Sequence, residues 1–75
     1  MAARSKAHAA FGRAVKAIRE EKKLTQAEVA KRMDAPDTFV SDIERGVRNP
    51  GLSTILALSK ALGVKASEIH ERAKL

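Results

Sequence analysis

The chain has 75 residues, 44% of them hydrophobic and 32% charged, with a formal net charge of +6 and an isoelectric point near 10.2. That length holds one globular core and no second, and the absence of cysteine excludes a disulfide framework or a cysteine-based zinc site. No apolar run approaches the roughly 20 residues of a membrane span, and the N-terminus lacks the apolar core of a secretory signal, so a cytoplasmic protein without a membrane partner is expected.

Residues 1–8 (MAARSKAH) carry no apolar pattern and read as a flexible basic arm or as the fraying start of a helix. From about Ala9, Phe11, Val15 and Ile18 recur at i, i+4 and i+7 with Ala14 beside them, which predicts an amphipathic first helix ending near Lys22. Thr25-Gln26-Ala27-Glu28 then supplies a capping box, so a second helix starts at about Gln26. Val29 and Met33 share one face of it, and Ala30 beside them is small enough for another helix to approach. Asp34-Ala35-Pro36 breaks this helix, because proline biases the preceding residue away from helical geometry and suits the first turn of a new one. The third helix therefore opens at Pro36 or Asp37, turns Val40 and Ile43 back toward Ala30, and stops at Gly46. Two short helices crossed at a tight turn over about 26–45 make a helix-turn-helix.

Val47 to Gly51, holding Asn49-Pro50-Gly51, reads as a loop. Ser53 is expected to cap a fourth helix whose Ile55, Leu56, Leu58, Ser59 and Leu62 form a broad buried face, with Gly63 as its stop. A short fifth helix follows from about Ala66 to Ala73, with Ile69 and Ala73 one turn apart. No strand alternation or repeat intervenes, so the expected fold class is all-α, five helices, with residues 9–75 as one domain.

Charge is unevenly spread. Residues 1–32 carry nine basic groups against three acidic ones, whereas residues 33–50 hold Asp34, Asp37, Asp42 and Glu44 against Arg45 and Arg48. The basic balance favours a polyanionic partner or is simply a solvated face, and the third helix is acidic within it.

Taken together, Leu24-Thr25-Gln26 with Ala30, the run Val40-Ser41-Asp42-Ile43-Glu44-Arg45-Gly46 followed by Arg48-Asn49-Pro50, and Leu58 with Ala61-Leu62-Gly63-Val64 resemble the Cro/cI-type helix-turn-helix domain. This is the lambda-repressor-like or XRE family, and the compact form is similar to small restriction-modification controller proteins. The likeness spans about Phe11 to Ile69. It implies a sequence-specific transcriptional regulator, repressor or activator, that binds double-stranded DNA as a homodimer on a roughly palindromic operator. It implies no cofactor, no metal and no small-molecule ligand, and a place in the cytoplasm at the nucleoid. The chain departs from the family pattern at Asp34, where glycine is usual, at Asp37, where Gln or Arg is common, and at Pro36, which replaces a serine cap.

The resemblance also assigns roles. Arg19 and Glu44 stand where the family has a buried structural ion pair. Gln26 stands where a phosphate contact is made, and Asn49 is either a second phosphate contact or a turn residue. Thr38, Ser41 and Asp42 face away from the Val40/Ile43 stripe and are candidate base readers, flanked by Asp37 and Phe39. Asp37 equally suits the helix dipole, and Phe39 either meets a thymine methyl or packs against the loop. Arg48 is the candidate cation of the reading head, and Arg4 and Lys6 belong either to a groove-reaching arm or to an unstructured terminus. Leu58, Ile69, Ala73 and Leu75 are the expected dimer surface. His8 and His70 lie far apart in sequence and no nucleophile or metal cluster accompanies them, so an enzyme is not expected. The competing expectation is a protein-interaction module, such as an antitoxin-like or phage regulatory subunit, which the acidic third helix favours.

Overall fold

A computed structural model describes residues 5–75 as five helices, α1 (Lys6–Glu21), α2 (Gln26–Arg32), α3 (Asp37–Arg45), α4 (Leu52–Leu62) and α5 (Ala66–Ala73), with no strand among the described residues. The first helix begins three residues earlier than its apolar period indicates. Ser5 caps it by accepting a hydrogen bond from the His8 amide at 2.9 Å, and the alanine-rich first turn sustains the helix without an apolar face. Lys6 therefore lies in α1, while Arg4 and the start of the expected arm fall outside the described residues.

Helix α1 is the hub, packing against both α3 and α5, while α2 packs on α3 and α4. Val15, Ile18, Val29, Val40, Ile43, Leu58, Leu62 and Ile69 are fully enclosed where these helices meet. Three expectations for the C-terminal half are corrected here. Leu58, Ile69 and Ala73 belong to this core and offer no pairing surface, whereas Leu52 and Leu56 on α4 are 74% and 53% exposed. Periodicity had put Leu56 on the buried face, but α4 meets only α2 and α5 closely, and its Leu52/Leu56 edge has no neighbour. Ser53 is not the cap of α4 either. The helix starts two residues earlier than a Ser53 cap would place it, Gly51 occupies the cap position, and the Gly51 carbonyl accepts from the Ile55 amide.

Close approach at two glycines fixes how α1 and α3 sit together. A methyl group on Gly12 would lie 2.3 Å from the Ile43 carbonyl oxygen and 2.6 Å from that of Glu44, so α1 and α3 touch backbone to backbone. Gly46, left-handed at φ 73°, closes α3 and comes so near α1 that a side chain would meet the Ala9 backbone at 2.8 Å.

All five helices end in the same hydrogen-bonded hook, with the amide after the left-handed residue donating back five positions: Leu24 to Arg19, Ala35 to Ala30, Val47 to Asp42, Val64 to Ser59 and Leu75 to His70. Glycine serves at Gly46 and Gly63, but Lys23, Asp34 and Lys74 adopt the same left-handed backbone at φ 57°, 55° and 61°. The Asp34 turn that separates α2 from α3 is thus a complete helix stop without glycine.

The α2 start is the capping box that the sequence predicts. Thr25 Oγ1 accepts from the Glu28 amide at 3.0 Å, and a Glu28 carboxylate oxygen accepts from the Thr25 amide at 2.8 Å.

Two measurements test this packing. Gly12→Ala should destabilise the fold by about 1–3 kcal/mol, because the methyl meets backbone that cannot rotate away; an unchanged urea midpoint would refute the backbone contact. The second follows from the Glu28 carboxyl, which the Thr25 amide and hydroxyl hold below its ordinary 4.5. A group with a depressed folded value contributes stability fully present above its unfolded value and lost as pH falls through the folded one. Thermal midpoints should therefore decline below pH 4.5, and Glu28→Gln should decline less steeply over that window.

Candidate DNA-binding site

The site is built around one carboxylate. Glu44 sits near the end of α3 with its side chain 3% exposed, and Arg19, late in α1, donates to it through Nε at 2.6 Å and Nη2 at 3.2 Å. Arg19 Nη1 also donates to the Leu24 carbonyl at 2.8 Å, which ties down the segment between α1 and α2. The Glu44 hydrogen bonds raise the Arg19 guanidinium above its ordinary value, against the opposing effect of burial. Gln26, the first residue of α2, donates its side-chain amide to Glu44 Oε1 at 2.9 Å. This third donor was not foreseen from the sequence. It engages the amide assigned to phosphate, leaving one Nε2 hydrogen and the side-chain oxygen for any external contact.

From this anchor α3 projects its N-terminal end. Asp37 and Thr38 are exposed at its head, Ser41 and Asp42 are half-buried along its outer side, and Val40 and Ile43 are buried on the other. Phe39 is partly buried against the core edge and is also covered by the Arg48 guanidinium, whose carbon lies 4.6 Å from the ring centre. Of the two alternatives for Phe39, the structure shows packing against the loop, with Arg48 as the loop group on its ring. Asp42 takes Arg45 Nη2 at 2.5 Å and stands 3.6 Å from Arg48 Nη2. Asn49 is exposed in the loop beyond. The structure thus draws Phe39, Asp42 and Arg48 into one cluster and leaves Asp37 and Thr38 free at the tip.

On the far side of α2, Arg32 Nη1 donates to the Ala61 carbonyl at 2.9 Å, joining α2 to the last turn of α4. No spacing rule marks this pair, because an arginine in a helix's last turn reads as a solvated charge until its neighbour is known. Among the described residues no cluster of three or more His, Cys, Asp or Glu side chains suited to a metal occurs.

The helix-turn-helix family model matches residues 15–69, spanning all five helices from mid-α1 to α5. The chain belongs to the helix-turn-helix family. Over 58 residues the domain is 45% identical to the immunity repressor protein of Bacillus phage phi105, covering 77% of this chain but only 40% of that protein. Over 60 residues it is 43% identical to control protein C.BamHI of Bacillus amyloliquefaciens, covering 79% of this chain and 74% of the relative. Among solved structures, the restriction-modification controller protein C.AhdI from Aeromonas hydrophila superposes with a TM-score of 0.79 at 33% identity, over 81% of this chain and 92% of that one. The controller protein C.Esp1396I superposes at 0.85 with 28% identity, over 93% and 91%. This helix-turn-helix domain is that of a DNA-binding transcriptional regulator.

The anchor makes a testable demand. Arg19→Met leaves the Glu44 carboxylate buried without its main partner and should cost about 3–5 kcal/mol in folding stability. The double variant Arg19→Met/Glu44→Leu should recover most of that loss in urea unfolding. A single variant as stable as the parent would show that Glu44 does not depend on Arg19.

Proposed function

We propose that the protein is a sequence-specific operator-binding regulator that acts as a homodimer, lays α3 in the major groove, and works in the cytoplasm at the nucleoid. The observation that carries this reading is the pairing of a rigidly held α2–α3 unit with an exposed α3 head. A helix inserted in the major groove reads bases with its N-terminal residues, and Asp37, Thr38 and Ser41 occupy those positions. Thr38 offers a hydroxyl and a methyl to a base edge, while Asp37 is suited to accept from cytosine N4. Gln26 and Asn49 take the phosphate side, with Gln26 pre-oriented by Glu44.

Basic groups on α1 and α2, such as Lys16, Lys31 and Arg32, supply the general attraction to DNA that the acidic α3 head lacks. For pairing, Leu52 and Leu56, one turn apart on α4, provide the exposed apolar strip in place of the buried Leu58, Ile69 and Ala73; Leu75 stays exposed at 58%. Two copies joined there would present two reading heads about 34 Å apart, one helical turn of DNA. The exposed Asp37 at the head of α3 is the one feature that favours a protein partner instead.

Selection of bound duplexes from a random pool, at two salt concentrations, decides between the two. The expected result is a two-fold symmetric motif that survives the higher salt, with Leu56→Glu halving the motif and yielding monomer by sedimentation. Weak binding that enriches no sequence and vanishes with salt would leave only counterion release and favour the protein partner.

A further inference from the structure

We propose that Phe39 and Asp42 are positioning residues for Arg48, holding its guanidinium so that its outer edge selects guanine at one position of each half-site. This rests on the operator-binding reading above. The Phe39 ring lies under the guanidinium at 4.6 Å, and Asp42 Oδ2 stands 3.6 Å from Nη2, so an aromatic face on one side and a carboxylate at one end restrict where the fork can lie. The Arg48 side chain is 46% exposed, and among the described residues its one charged partner is Asp42, at ion-pair distance, with no group accepting a hydrogen bond from it. Its remaining N–H donors are unclaimed.

A free arginine on a loop is a mobile cation that takes whichever phosphate is near. Bidentate recognition of guanine O6 and N7 requires the guanidinium plane to coincide with the base plane. The aromatic face and the carboxylate restrict the fork before DNA arrives. Asp42 adds a second effect, because its charge repels phosphate and disfavours a backbone contact by the same arginine. Asp42 also takes Arg45 Nη2 at 2.5 Å, which keeps the carboxylate itself from swinging toward the DNA. Two residues that sequence spacing alone marks as base readers thus act through a third.

The test uses the full chain and five variants: Arg48→Ala, Phe39→Leu, Phe39→Tyr, Asp42→Asn, and the double Phe39→Leu/Arg48→Ala. In the free protein, ring-current upfield shifts of the Arg48 Hδ protons should be present in the parent and in Phe39→Tyr and absent in Phe39→Leu, with every variant still folding cooperatively. On the selected operator, Phe39→Leu and Asp42→Asn should each weaken binding about two- to fivefold. Both should flatten the preference at the same single base pair as Arg48→Ala, and Phe39→Tyr should restore it. Phe39→Leu should add nothing on top of Arg48→Ala. Asp42→Asn should also raise affinity for unrelated duplex.

Flattening at a different base pair would overturn the proposal by making Phe39 or Asp42 a direct reader. Tighter operator binding by Asp42→Asn would overturn it as well, since Asp42 would then compete with the base for Arg48. If the parent selects no motif, the operator-binding reading itself falls; if the parent selects one and the Phe39 variants do not converge on the Arg48 position, only this inference does.

Discussion

A buried carboxylate needs partners or it becomes a large liability, and the Glu44 carboxylate, with the two that it obtains, joins three separate stretches of chain. Arg19 reaches it from α1, Gln26 from the start of α2, and Glu44 is itself part of α3. Each partner is also held elsewhere, Arg19 by the Leu24 carbonyl and Gln26 by its place in a capped helix. Among the described residues no buried side-chain nitrogen or oxygen is left without a hydrogen bond. The ion pair stabilises little relative to an apolar replacement of the same shape; its consequence is geometric. Sliding α3 by a turn, or rotating α2 about its axis, would strand the carboxylate, so the angle between the two helices is tied to a charge that cannot be left alone.

A second constraint acts on the same end of α3 from the opposite side. At Gly12 the α1 backbone touches the Ile43 and Glu44 carbonyls, and at Gly46 the end of α3 runs against Ala9. The C-terminal half of α3 is therefore gripped on polar and steric grounds, while its N-terminal half buries only Val40 fully and packs Phe39 against the core edge. That asymmetry is what a reading helix requires. The end that approaches a base must be free of neighbours, and the end that sets its direction must not move.

Much of this was legible in the residues. Apolar spacing located α1, the capping box placed the start of α2 at Gln26, and the break at Asp34-Ala35-Pro36 together with Gly46 bounded α3. Other features were hidden for identifiable reasons. Periodicity says that Leu56 and Leu58 both sit near an apolar stripe, but which edge is covered depends on where α2 and α5 lie. Gly12 looks like a poor helix residue until the backbone of α3 is seen against it. Lys23 and Lys74 carry no signature of a left-handed stop, because what holds them there is the hook of backbone hydrogen bonds rather than any property of lysine. At the reading head, spacing shows that Phe39, Asp42 and Arg48 are near one another, but not that they face one another.

The turn between α2 and α3 bears on how such a protein changes its target. A left-handed aspartate costs about 1–2 kcal/mol relative to an ordinary backbone, and the hook from Ala35 to Ala30 and from Asp34 to Lys31 offsets it without help from glycine. The Asp34 side chain is consequently exposed and uncommitted, like those of Asp37 and Thr38 just beyond. The residues by which this chain departs from its family pattern, Asp34, Pro36 and Asp37, all lie on that exposed rim, while Gly12, Arg19, Ala30, Glu44 and Gly46 carry the packing. Because the two sets share no contact that either needs, side chains on the rim can be exchanged at small cost in folding energy. On the proposed operator-binding role, the target sequence can then diverge while the angle of α3 stays fixed.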